Sequence, residues 1–229
     1  MCRRHECAAV IPCLDEAPRI SEVVRQVRRH VNLVIVVDDG SRDDTANLAA
    51  HAGASVIRRP FNGGKGSAAR LGWDLARKLG FQWVLCMDGD GQHAADDIPA
   101  LFECARLSNA MLVVGNRMAK PDGMPALRFW VNLWMSAGLS RLGRQVFPDS
   151  QCGFRLVHLP SLIQASLRSS HFEVESEMLL AFARLGLPIS FVPIQTLYRG
   201  SQSKINPVVD TWRWIRWRLA QMAFFGLEA

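Results

Sequence analysis

At 229 residues, with 49% apolar and 21% charged side chains, the chain is long enough to bury one sizeable core, and its composition excludes a disordered or fibrous polymer. A formal charge of +6 and a pI near 9.3 favour an anionic partner and leave nucleic acid, a phosphorylated small molecule and an acidic membrane face open. No apolar run approaches the ~18 residues of a transmembrane span. Met1 to Glu6 lacks the apolar stretch of a secretory leader, and the six cysteines show no paired metal-ligand spacing, so free thiols and a cytoplasmic location are expected.

The first predicted strand, Ala8 to Pro12, ends in Pro12-Cys13-Leu14-Asp15-Glu16. A helix follows in which Ile20, Val23, Val24 and Val27 recur at helical spacing, with Arg25, Arg28 and Arg29 on the solvated face. The second strand, Leu33 to Asp38, runs into Asp38-Asp39-Gly40-Ser41 and a helix over Thr45 to His51 that Asp44 is placed to cap. A third strand, Ala54 to Ile57, leads to Asn62-Gly63-Gly64-Lys65-Gly66 and a helix from Ser67 to Leu79 with Ala68, Leu71 and Leu75 inward. The fourth strand, Trp83 to Met87, stops at Asp88-Gly89-Asp90-Gly91-Gln92-His93, before a helix over Ala95 to Leu107 with Ile98, Leu101 and Phe102 inward. A fifth strand, Met111 to Gly115, ends in Asn116-Arg117. Short β-rich runs alternating with helices predict an α/β fold, a mostly parallel sheet sandwiched by helices.

In such a sheet ligands bind beyond the carboxyl ends of the strands, where all five polar clusters fall. Asp88 and Asp90 stand at i and i+2 with Gln92 beyond, so all three could offer hard oxygen ligands to one divalent ion. Asp38 or Asp39 suits hydrogen bonds from a ribose or base. The glycines before Ser67 are expected to turn backbone N–H groups to an anion, with Lys65 adding positive charge, although the spacing is not that of a Walker loop.

Together V-I-P-C-L-D-E from Val10, V-D-D-G-S-R-D-D-T from Val37, N-G-G-K-G from Asn62, D-G-D-G-Q-H from Asp88, G-N-R from Gly115 and D-S-Q-C-G-F-R from Asp149 resemble the ordered motifs of family 2 glycosyltransferases with the GT-A, Rossmann-like fold. The likeness is strongest to the dolichyl-phosphate mannose synthase and dolichyl-phosphate glucosyltransferase branch and spans roughly residues 8 to 206. One departure is Asp15, where the family usually has Asn. The resemblance implies that Pro12, Leu14, Glu16, Val37 and Asp39 line a nucleoside pocket. It also implies that Asp88, Gly89 and Asp90 meet the sugar nucleotide, that Asp90 and Gln92 bind Mg²⁺ or Mn²⁺, and that Arg117 and Lys204 face phosphates. It implies an inverting transfer of a hexose from UDP-glucose or GDP-mannose to a polyprenyl phosphate, or to a glycolipid or polysaccharide. A binding module without turnover is the reading from another class. A hydroxyl acceptor needs a general base, for which Asp149 is the candidate; a phosphate attacks directly and leaves Asp149 to orient. Among Glu173, Glu175 and Glu177, Glu175 is expected on the acceptor side.

Two segments address membranes. Leu127 to Leu142 carries Phe129, Trp130, Leu133 and Trp134 near Arg128 and Arg141. Thr211 to Phe225 interleaves Trp212, Trp214 and Trp217 with Arg213, Arg216 and Arg218, and Trp212, Ile215 and Leu219 share a helical face. The expected organisation is a catalytic domain over 1–206 and an amphipathic, membrane-interfacial helix over 207–229, with docking on the domain or on a second copy as the alternative. A metal and nucleotide rim argues against nucleic acid.

Overall fold

The computed structural model describes residues 4–197 and 207–225. Seven strands form one sheet: β1 (Cys7–Cys13), β2 (Leu33–Asp38), β3 (Ser55–Arg58), β4 (Trp83–Cys86), β5 (Leu112–Asn116), β6 (Arg155–His158) and β7 (Ile189–Pro193), in the order β3-β2-β1-β4-β6-β5-β7. Every pairing is parallel except those of β6, which runs antiparallel between β4 and β5. The expected α/β sandwich is therefore correct, with one reversed strand inserted. That strand has four residues and pairs with segments far away in the chain, so no local periodicity marks it.

The helices are α1 (Ala17–Val27), α2 (Thr45–His51), α3 (Lys65–Lys78), α4 (Ile98–Ser108), α5 (Ala126–Gly143), α6 (Leu159–Ala165), α7 (Glu173–Arg184) and α8 (Pro207–Phe225). In α1 and α4 the residues expected inward are the buried ones. Helix α3 departs from expectation. Its sheet-facing side is Ala68, Ala69, Gly72, Trp73 and Ala76, whereas Leu71 is exposed and Leu75 only packs against the core edge. Small residues let this helix lie close to the sheet, which a pattern search for large apolar residues does not detect.

Strand order reverses between β1 and β4, and a cleft opens there because β4 leaves the sheet early. Its register with β1 ends at Val10 and Cys86, and Met87 N–H makes the last bond across, to the Val10 carbonyl at 3.2 Å. Pro12 is in phase with Val10, so the side on which proline lacks an N–H faces the widening cleft rather than β2. A proline inside a central strand is accommodated for that reason.

The loops after β1 and β2 are tied together by side-chain oxygens. Ser41 Oγ accepts from Asp15 N–H at 2.9 Å, Thr45 Oγ1 from Glu16 N–H at 2.7 Å and Asp43 Oδ2 from Ala17 N–H at 3.0 Å. Three successive amides at the start of α1 are thus satisfied from another loop. Asp43 also accepts from Thr45 N–H at 3.0 Å, so the cap expected of Asp44 is made by its neighbour. Asp15 adopts φ 50°, a left-handed conformation that Asp and Asn both tolerate, which accounts for the ease of that exchange.

Among the described residues no helix is long and apolar enough to cross a membrane, and the five described cysteines are free. Burial pushes the Cys86 thiol up to about 11 and Cys152 up to about 12.

Candidate active site

The cleft between β1 and β4 collects side chains from five elements. Lys65, in the first turn of α3, places Nζ 2.5 Å from Asp88 Oδ1 and 2.6 Å from Glu175 Oε1. Asp88 follows β4 and Glu175 opens α7, so this triad exists only in three dimensions. Pro12, Trp73, Gly153, Arg155 and Met178 line the same cavity. On the other oxygen of Asp88, His93 Nε2 stands 3.3 Å away, its ring packed on Phe154 at 5.2 Å between centroids. Burial raises the Asp88 pKa, but the Lys65 and His93 partners more than offset it and hold the carboxyl well below the usual range. Burial likewise lowers Lys65, and the two carboxylates more than reverse that, so the ammonium stays charged at any working pH.

The loop before β6 closes over this group. An added Cβ on Gly153 would fall 2.8 Å from both Asp88 Oδ2 and Lys65 Nζ, so any larger residue there would displace the ion pair. Gly89 passes as close to β1, where a Cβ would meet Cys13 Sγ at 2.5 Å and Glu16 Cγ at 3.4 Å. Glu16 is thereby buried against the motif that follows β4. Asp90 and Leu14 are half-buried at the rim. Gln92 is buried, and its N–H donates to Asp90 Oδ1 at 3.0 Å.

Asp149 and Arg117 form a closed pair beside the cleft. Arg117 donates from Nε at 2.8 Å and Nη2 at 2.9 Å to the two carboxylate oxygens, and from its backbone N–H at 3.1 Å. Asp149 is 0% exposed and Arg117 5%. Burial would raise the Asp149 pKa, yet the guanidinium holds it below the ordinary value.

Asp39 does not present a bare carboxylate: its oxygens accept from Gly63 N–H at 3.1 Å, from Gly64 N–H at 2.8 Å and from Arg59. The Gly63 and Gly64 amides, two of those expected to face an anion, donate to that same carboxylate, and Lys65 is the positive side chain of the loop. Val37 is fully buried within the core, as an alternating strand residue facing a helix must be. Lys204 lies outside the described residues.

Of the three glutamates, Glu175 faces Lys65, while Glu177 accepts from Arg168 N–H at 2.9 Å and Ser169 N–H at 2.8 Å to hold the preceding loop. Sequence reasoning assigned no role to Arg155, which is 1% exposed and braces the site from beneath. It donates to the carbonyls of Cys152 at 2.7 Å, Glu175 at 2.6 Å and Ser150 at 3.0 Å. The available signal was its place at the end of the D-S-Q-C-G-F-R motif.

The donor set suits a hard divalent cation. Two carboxylates and one amide within five residues are oxygen ligands, and Mg²⁺-type ions take one or two carboxylates with the remainder from water and phosphate. Among the described residues no three His, Cys, Asp or Glu side chains converge as an all-protein cage.

The glycosyl transferase family 2 model matches residues 8–159, from the second residue of β1 through β6, with both carboxylates of the Asp88 motif. The chain belongs to glycosyl transferase family 2. It is a glycosyltransferase. A Methanococcus voltae relative, UDP-N-acetylglucosamine–dolichyl-phosphate N-acetylglucosaminyltransferase, is 30% identical over 82% of this chain and 84% of its own. The undecaprenyl-phosphate mannosyltransferase of Micrococcus luteus is 28% identical over 90% and 92% respectively. In fold, the chain is similar to glucosyl-3-phosphoglycerate synthase from Mycobacterium tuberculosis, crystallised with Mn²⁺, UDP-glucose and phosphoglyceric acid. The TM-score is 0.71 at 23% identity, covering 99% of this chain and 81% of that one.

Proposed function

We propose that this glycosyltransferase moves a hexose from a UDP-glucose- or GDP-mannose-type donor to a polyprenyl phosphate, with inversion, at the inner face of a membrane. The observation that carries the reading is the carboxylate pair after β4 at the strand-order reversal, with Lys65 and Glu175 beside it. Support for the acceptor comes from relatives whose names specify dolichyl or undecaprenyl phosphate.

Asp90 and Gln92 would hold Mg²⁺ or Mn²⁺, with Asp88 as the third ligand on exchanging its lysine partner. When bound, the ion supplies positive charge to the departing diphosphate. Pro12 lines the cleft, and it would meet the nucleoside together with Leu14 and Glu16, while Asp39 fixes the Gly63–Gly64 loop. Lys65 lies within reach of a donor's phosphates and adds a second positive charge where negative charge develops. Arg117 and Asp149 work as a unit: a carboxylate with both oxygens bound to one guanidinium is poorly placed to take a proton, which suits an acceptor already ionised near pH 7. Asp149 therefore orients Arg117, and the cleft needs no general base for a phosphate nucleophile.

The membrane surface is assigned to α5 and α8. Trp130 and Trp134 on α5 and Trp212 and Leu219 on α8 are exposed, with Arg213 and Arg216 beside them, and the helices meet where the Trp134 and Trp214 rings pack tilted at 58°, 5.4 Å between centroids. Converting Trp212 and Leu219 together to alanine should weaken binding to phosphatidylglycerol vesicles by about tenfold, read by flotation. Unchanged flotation would remove these two side chains from the interface.

Transfer itself is tested with radiolabelled UDP-glucose, UDP-N-acetylglucosamine and GDP-mannose, each offered with undecaprenyl phosphate. Label should enter the organic phase from at least one donor. Transfer from none of them defeats the acceptor assignment.

A further inference from the structure

Helix α8 is more than an appended amphipathic segment. Trp212 is 60% exposed, but Trp214, two residues on, is 2% exposed and docked on the domain. Its indole Nε1 donates to Ser176 Oγ at 2.9 Å, and Gln151 Nε2 donates to the same oxygen at 3.0 Å. These two donors fill the two lone pairs of the hydroxyl. The Gln151 amide spends its other N–H on Ser150 Oγ at 2.7 Å, and the Gln151 backbone donates to Asp149 Oδ1 at 3.2 Å.

Ser176 directly follows Glu175, whose Oε1 holds Lys65 while its Oε2 is buried with no hydrogen-bond partner. The position of that carboxylate therefore depends on the backbone of the first turn of α7. Three contacts fix the turn: Arg155 on the Glu175 carbonyl, and Trp214 and Gln151 on the Ser176 hydroxyl. Arg218 stacks on the Trp214 ring at 5.8 Å and lies against Gly138 of α5, so the indole is clamped.

We propose that Trp214 is a positioning residue: through Ser176 it sets Glu175 on the acceptor side of the cleft, so the helix that carries the exposed Trp212 and Leu219 also completes the site. This rests on the reading that Glu175 serves the acceptor. Membrane-facing and catalytic surfaces then share one rigid connection, α8 to α7.

The test uses the full chain. Trp214→Phe keeps an aromatic ring, smaller than the indole, and removes one donor without leaving a buried donor unmet. The KM for undecaprenyl phosphate should rise about fivefold to tenfold, the size of one lost hydrogen bond, and by more than the donor KM, with the melting temperature lowered only by the smaller buried ring. Ser176→Ala, which also takes the acceptor from Gln151, should raise the acceptor KM at least as much, and the double variant no more than Ser176→Ala alone. An unchanged acceptor KM overturns the proposal, as does a lower melting temperature without a KM split, or additivity of the two changes. If the wild type itself transfers to undecaprenyl phosphate from no donor, the acceptor reading fails separately. Amide hydrogen exchange over residues 173–178 then decides: faster exchange in both single variants is expected, and exchange matching wild type overturns the coupling.

Discussion

Asp90→Ala lowers sugar transfer by about 10²–10³-fold, the range seen when one charge-stabilising contact to a transition state is removed. Asp90 is the carboxylate whose loss is cleanest to interpret. It is half-buried at the rim and makes no ion pair within hydrogen-bonding range of Lys65, whereas Asp88 is tied to Lys65 and His93. Removing Asp88 would take one of two carboxylates from the Lys65 ammonium and the partner from His93, so the loss of activity would mix catalysis with rearrangement of the buried pair. Removing Asp90 takes away one acceptor for Gln92 N–H and leaves the core untouched. The measurement is label transfer at saturating donor, accompanied by Mn²⁺ electron paramagnetic resonance in the presence of nucleoside diphosphate. Bound Mn²⁺ should fall in parallel with rate. Full transfer with normal Mn²⁺ binding would remove Asp90 from the site.

Arg117→Ala destabilises the fold by about 3–5 kcal/mol, as expected when one partner of a buried ion pair is deleted. The reason is the position of Asp149, 0% exposed and hydrogen-bonded at both oxygens by the guanidinium. Without Arg117 that carboxylate keeps only backbone donors, of which Gln151 N–H at 3.2 Å is one. For a chain of this length the loss corresponds to a melting temperature lower by about 10 °C. The pH dependence has a definite sign. In the wild type the Asp149 pKa lies below its unfolded value, so its contribution is present above about pH 4 and is lost as pH falls through the folded value. In the variant, burial without the guanidinium raises the same pKa, and the penalty shrinks as pH falls. The gap between the two proteins should thus narrow from pH 7 toward pH 4 in urea unfolding. A gap below about 1 kcal/mol at pH 7, as at a surface pair, would mean that the pair is hydrated.

Much of the fold was legible along the chain. Leu33–Asp38 and Thr45–His51 have the bounds that periodicity and turn residues imply, and α1 and α4 bury the residues expected of them. These elements are determined by nearest-neighbour rules of spacing and capping. Strand β6 was not legible, because four residues between two strands distant in sequence carry no period of their own. Nor was the inward side of α3, where Gly72 and the alanines rather than Leu71 meet the sheet.

The candidate site divides along the same line. Residue order identified the carboxylates after β4, the lysine after the glycines and the glutamate opening α7, since each sits at a chain position where local rules place a loop or a helix start. Which of them meet was decided by the tertiary structure: Lys65 joins Asp88 to Glu175 across 110 residues of chain, and Asp39 turns inward to the Gly63 and Gly64 amides. The same holds for Trp212 and Trp214, alike in composition and two residues apart. A helix turns about 100° per residue, so whether an indole lies in solvent or donates to Ser176 depends on which neighbouring surface is there to receive it, and packing alone supplies that surface.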